Sequence, residues 1–258
     1  MKRILVISDT HCGHMSGLTP PGFQLPSDAV TRVRQHMAEF ERKTWDWFAE
    51  SVARVGKIDA LVWNGDILDG KGERSGGTEL IMSDRLEQIE MAERIVKLIG
   101  APRVELIYGT PYHVGRDEDW EAVLAERLGC HIGSHEWLDA EGVVVDFKHK
   151  VSGSVIPHGR HTAPSRARLW NLLWADRELQ PRADIVVRSH AHTFGYSGDA
   201  RGLAIVTPGL QGWTKYGGRQ CEGTVDYGFL TIDCEEGAYQ WKPWLMDMRF
   251  SAATARTL

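Results

Sequence analysis

Aspartate and histidine recur in this sequence at short, ordered spacings: Asp9 and His11 in "SDTHCGH", Asp66 and Asp69 in "WNGDILDG", His113 in "YGTPYHVG", His149 in "DFKHK", His190 and His192 in "RSHAHTFG". Imidazole nitrogen and carboxylate oxygen together suit divalent first-row metals. Two such ions roughly 3.5–4 Å apart, sharing one carboxylate, activate a water for in-line attack at phosphorus. Asp66 is the natural shared carboxylate. Taken singly these residues say little, because an Asp after an apolar run is more often a turn former or cap, and an HxH pair is as readily surface decoration as ligand. Their recurrence in order is what favours the metal reading.

The elements that must position them come next. Arg3 to Ser8 is a short, β-branched apolar run that reads as a buried strand, and similar runs follow at 60–63, 104–108, 143–147, 185–187, 203–206 and 229–232. The chemistry-bearing motifs stand at the ends of the first five. Side chains at i and i+2 of extended backbone share a face, which suits DxH and HxH. The carboxyl ends of parallel strands share an edge, so residues distant in sequence meet in one crevice. Between the strands the pattern predicts helices from Ser27-Asp28 to Gly56, from Ser83-Asp84 to Gly100, and from Asp117 to Leu128. Strands alternating with helices, then closer-spaced strands after Leu203, predict an α/β protein with a second sheet, in a single domain over residues 1–258. Three long loops rich in Gly and polar residues, 12–26, 70–82 and 209–225, are candidate binding elements.

Composition sets outer limits. A chain of 258 residues with 42% hydrophobic content can bury a large core. A formal charge of −5 gives no global attraction to phosphate backbones, so any nucleic-acid contact must be local or through metal. Cys12, Cys130, Cys221 and Cys234 form no CxxC pair and no disulfide framework, pointing to a reducing compartment. The apolar run before Asp9 is too short for a signal core or a membrane span, so the expectation is a soluble, cytoplasmic chain with no membrane partner. Nothing in the sequence sets an oligomeric state.

The order DxH, GDxxD, a glycine-led loop with His, a single His, then HxH resembles the calcineurin-like metallophosphoesterases over residues 9 to 192. The resemblance implies an αββα sandwich of two mixed β-sheets flanked by helices. It implies one metal on Asp9, His11, Asp66 and His192, another on Asp66, His149 and His190, and Asp69 as an outer partner. Two divalent ions are expected, manganese first, with iron, zinc or nickel also compatible. The family's third motif usually reads GNH followed by an acid, Asn on the second metal and His near the leaving group. Here Gly109 is followed by Thr110, and the histidine comes at His113. Either His113 keeps the family role, as general acid or phosphate partner, or it takes the second-metal position itself. The first is preferred, since imidazole beside a departing oxygen is common acid catalysis. Thr110 is expected to be a turn residue.

Among His149, His158 and His161, the first follows an apolar run and is the preferred ligand. His158 and His161 are then candidate phosphate contacts, weighed against solvated loop histidines. Arg166 and Arg168 fall in the first turns of a predicted helix near Ser165 and are candidate substrate contacts; the alternative is a solvated face with Trp170 and Trp174 buried. His14, His36, His131 and His135 receive no role. Trp213, with Lys215, Tyr216 and Arg219, is a candidate stacking and charge patch for bases. The resulting expectation is a metal-dependent phosphoesterase acting on phosphodiesters, with nucleotides or nucleic acid as substrate. The alternatives are a phosphomonoesterase or a non-catalytic metal-binding scaffold.

Overall fold

Alternate residues of β1 (Lys2–Ile7) face opposite ways, Ile4 and Val6 into one buried cluster and Leu5 and Ile7 into another. A strand apolar on both faces needs cover on both, and that need generates the layers. One cover is helical. It consists of α1 (Arg32–Val55), α2 (Arg85–Ile99) and, beyond the single turn α3 (Pro111–Val114), α4 (Trp120–Leu128). Their Phe48, Val52, Ile89, Ile95 and Leu124 pack with Leu5, Ile7, Leu61 and Trp63. The other cover is a second sheet, whose Val145, Phe147, Val187 and Ile205 meet Ile4, Val6, Val62 and Ile232.

The computed structural model describes residues 1–115, 118–151, 156–220 and 223–257, without the side chains of Arg74, His158, Tyr216 and Gln220. The predicted helix start at Asp117, Cys221, and the side-chain roles considered for His158 and Tyr216 therefore lie outside the described residues. The first sheet has the order β11-β10-β1-β2-β3-β4, with β2 Ala60–Asn64, β3 Val104–Ile107, β4 His131–Gly133, β10 Gly228–Glu235 and β11 Ala238–Leu245. Strands β1 to β4 run parallel, and β10 and β11 are added antiparallel. The second sheet is β5-β6-β7-β9-β8, with β5 Glu136–Ala140, β6 Val143–Lys150, β7 Ile185–Ser189, β8 Gly195–Asp199 and β9 Gly202–Val206. Its three central strands are parallel and its two edges antiparallel. Helix α5 (Thr162–Asp176) packs on β7, β8 and β9, and α6 (Lys215–Gln220) lies in the loop before β10. Two mixed sheets flanked by helices are what the resemblance implied.

Helix α2 is capped as read, Asp84 accepting from the N–H groups of Leu86 and Glu87. Helix α1 starts later than Ser27-Asp28, with Thr31 accepting from Arg34 N–H. Helix α4 is capped by Asp119. Trp170 and Trp174, expected to be buried if α5 were only a solvated helix, are 55% and 37% exposed. Among the described residues no helix is long and apolar enough to cross a membrane.

Candidate metal centre

The ligand-type residues sit where the parallel strands run out, on both sheets. Asp9 and His11 follow β1, Asp66 and Asp69 follow β2, His190 and His192 follow β7, and His149 lies within the last turn of pleat of β6. The crevice is thus formed between two sheet edges, where the sequence pattern suggested one. The loops after β1 and β2 bind each other through Asp9 N–H to Gly65 O (3.0 Å), His11 N–H to Asp66 O (3.1 Å) and Cys12 N–H to Ile67 O (2.8 Å). Of the eight described non-glycine residues with positive φ, five are Asp9, His11, Asp66, His190 and His192. The left-handed region costs an L-residue roughly 1–2 kcal/mol, so the fold holds these five side chains against local preference.

Three clusters result. Asp9, His11 and His192 bring one donor atom each within 4.8 Å of one another, as do Asp66, His149 and His190, and His11, Asp69 and His113. His192 Nε2 is 3.2 Å from Asp9 Oδ1, and His149 Nε2 is 3.0 Å from Asp66 Oδ2, with His190 Nδ1 3.6 Å from that same oxygen. The first two clusters adjoin, since His149 Nε2 is 4.0 Å from Asp9 Oδ1. Asp66 forms its cluster with His149 and His190. Its Oδ1 accepts from Thr110 N–H (2.5 Å) and Thr110 hydroxyl (2.6 Å), which leaves Oδ2 facing His149 and His190. Thr110 is therefore more than the turn residue expected.

Neighbours fix the orientation of each ring. His149 Nδ1–H donates to Asn64 O (2.7 Å), presenting Nε2. His11 Nδ1 meets Asp69 Oδ1 (3.1 Å), presenting its own Nε2, a contact of the kind the resemblance implied for Asp69. The Asp69 carbonyl accepts from His113 Nδ1–H (3.0 Å), and the His113 ring lies edge-on to His11 with centroids 4.4 Å apart. His113 stands beside His11 and clusters with it and Asp69, not with His149 and His190. Glu121 is wholly buried, its two oxygens accepting from Ile67 N–H (3.0 Å) and Gly109 N–H (2.9 Å). It joins the loop after β2 to the loop after β3, and nothing in its helical sequence context marks it.

Charge is concentrated here. Burial opposes ionisation of Asp9, yet His192 and His149 bring its carboxyl down to about 2. Asp66, equally buried, is held well below the carboxylate range by His149 and His190. Against its own burial, His149 is raised to about 9 by Asp66 and Asp9. His11 goes the other way, held well below the usual imidazole range by burial and by His113. A proton on His149 offsets the carboxylates in the metal-free chain.

A cleft of about 420 Å³ opens over these residues, and all three long loops line it, through His14, Glu79, Trp213 and their neighbours. Lys150, which sequence reasoning passed over, also faces it. The substrate contacts read from the sequence do not. Arg168 is paired with Asp199 (2.7 Å), His161 Nδ1 is bound to Tyr196 O (3.1 Å), and Arg166 is exposed; none of the three lines the cleft. The start of α5 meets the edge strand β8, through Ser165 to Ser197 (2.7 Å) and Arg168 to Asp199, which draws Arg168 away from the crevice.

The donor set fits divalent metal. Asp9 Oδ1, His11 Nε2, His149 Nε2 and His190 Nδ1 are buried and make no well-formed hydrogen bond, His149, His190 and Asp9 having only close approaches within the ligand clusters, and such atoms are costly unless something binds them. No family model and no curated protein matches the sequence. Solved structures do: Vps29 from Chaetomium thermophilum (13% identity, 96% of this chain and 93% of that one, TM-score 0.51), an archaeal phosphodiesterase (11%, 94% and 99%, 0.47) and zinc-complexed Vps29 from Entamoeba histolytica (14%, 94% and 98%, 0.45). The chain has the calcineurin-like metallophosphoesterase fold.

Proposed function

We propose that this protein is a metal-dependent phosphoester hydrolase with two divalent cations, manganese first among them, acting on phosphodiesters of nucleotides or nucleic acid. The observation that carries the reading is the set of four buried donor atoms, none in a well-formed hydrogen bond, converging from both sheets. Asp9, His11 and His192 would hold one ion, and Asp66, His149 and His190 the other. When bound, such ions supply a nucleophilic water at neutral pH and offset charge on the phosphoryl oxygens. The chain's own part is positional. Asp9 Oδ2 is held by His190 N–H (3.3 Å) so that Oδ1 faces the crevice. His113, with Nδ1–H committed to the Asp69 carbonyl, offers Nε2 as proton donor to a leaving oxygen. The half-exposed Trp213 on the cleft wall favours a substrate with a planar base.

The test is metal-dependent turnover of bis-p-nitrophenyl phosphate against p-nitrophenyl phosphate, with metal content measured alongside. Preference for the diester supports the reading, and strong preference for the monoester makes the protein a phosphatase. Asp66→Asn is expected to abolish turnover and to lower bound metal; a folded variant with near-normal rates would dismiss this centre.

A further inference from the structure

Beside the ligand clusters but in none of them, the cleft wall contains a second polar pair, His14 and Glu79, both buried to within a few percent. It sits where the three long loops meet. Met15 N–H bonds Glu79 O (2.9 Å), Gly212 N–H bonds Ser16 O (2.8 Å), and Lys215 N–H bonds Glu79 Oε1 (2.9 Å). Ser16 N–H donates to His14 Nδ1 (3.0 Å), so that nitrogen is an acceptor and the ring proton sits on Nε2. His14 Nε2 and Glu79 Oε2 are 3.9 Å apart, too far to bond each other, and Glu79 Oε2 has no hydrogen-bond partner. One wall of a substrate cleft thus presents a fixed donor beside a fixed, unsatisfied acceptor.

A hydroxyl oxygen, which accepts and donates at once, completes this pair from about 2.8 Å on each side. A phosphate oxygen would be repelled by Glu79, and an ammonium by the N–H of His14. We propose that His14 and Glu79 form a subsite that reads a ribose hydroxyl of the substrate, making ribonucleoside phosphoesters the preferred class. This rests on the phosphoester reading for its chemistry but not for its binding. Trp213, which lines the same cleft, supplies the face for the base.

The experiment is calorimetric binding of uridine 5′-phosphate and its 2′,3′-dideoxy counterpart to the manganese-loaded protein, followed by turnover of their p-nitrophenyl esters, which share one leaving group. The ribonucleotide is expected to bind about 10- to 100-fold more tightly, the range of a hydrogen bond to a buried, otherwise unsatisfied group. Glu79→Gln is expected to bring the two affinities to within about threefold. Its carbonyl must serve Lys215 N–H, which leaves an NH2 donor beside the His14 donor and nothing to accept from the hydroxyl. Equal affinities in the wild type would mean that an ordered water fills the gap, and would overturn the proposal. So would failure of both nucleotides to bind, or an unchanged ratio in Glu79→Gln. Discrimination in binding without turnover of either ester leaves the subsite standing and removes the hydrolase; turnover without discrimination does the reverse.

Discussion

His113 and His149 are both buried imidazoles at the same crevice, and their surroundings assign them opposite tasks. His113 holds the Asp69 carbonyl through Nδ1, with the Asp69 carboxylate 3.6 Å away, and faces His11, so in the proposed reaction Nε2 is the nitrogen left for substrate. His113→Ala is expected to leave metal content unchanged while slowing esters with poor leaving groups by roughly 10²–10⁴-fold. p-Nitrophenyl esters should be affected far less, because that leaving group departs without a proton. Loss of metal in the variant would instead make His113 a ligand. His149 is raised to about 9 by two carboxylates, so at neutral pH it carries a proton that a cation must displace. Metal affinity should therefore rise with pH, by up to about tenfold per unit, and level off near pH 9. Titration at pH 6.5, 7.5 and 8.5 checks this, and a flat profile would contradict it. In the metal-free protein the sign is opposite for stability: the raised His149 contributes fully below the usual imidazole range and that contribution is lost as pH climbs through about 9.

Between elements, the crevice depends on how closely the loops after β2 and β3 approach. A Cβ on Gly109 would lie 2.3 Å from both the amide nitrogen and Oδ1 of Asp66, and one on Gly65 would lie 2.4 Å from the His149 ring. Glycine at these two points lets the Asp66 carboxylate and the His149 ring reach the crevice. Glu121 then ties the loops together by two backbone bonds. Glu121→Ala strands two N–H groups in the interior and is expected to cost about 2–4 kcal/mol in urea unfolding. It should also weaken metal binding, although Glu121 belongs to none of the ligand clusters. Full metal affinity in a destabilised Glu121→Ala protein would show that the loops keep their geometry without it.

Across the whole molecule, the candidate ligands are divided between the two sheets, with Asp9, His11 and Asp66 on the first and His149, His190 and His192 on the second. Metal bound there would join the layers at the carboxyl ends of their parallel strands. Anything that binds only the folded chain stabilises it by mass action, about 2.7 kcal/mol at a hundredfold excess over Kd. Thermal unfolding should therefore shift upward by about 5–10 °C with saturating manganese and reverse on chelation. Asp66→Asn should show most of that shift lost. An unchanged midpoint with metal would mean that the sheets are not joined through this centre.

The seven interior strands, β1, β2, β3, β6, β7, β9 and β10, were all legible as apolar runs, because a strand covered on both faces has to be apolar throughout. The four strands that were not legible are the four sheet edges, β4, β5, β8 and β11. An edge has a free side, so "HIG", "EWLDA" and "GYSGD" carry no burial signature, and Pro243 is tolerated in β11 because its missing N–H falls at the outer edge. The same division holds at the site. That Asp9, His11, Asp66, His149, His190 and His192 would come together was readable because strand ends announce themselves and the residue types are unusual there. Arg166 and Arg168 do not line the cleft, since a helix start in sequence does not say which neighbour it meets. Thr110, Glu121, His14 and Glu79 work through partners distant in sequence, and only the packing of two sheet edges and three loops brings those partners within hydrogen-bond reach.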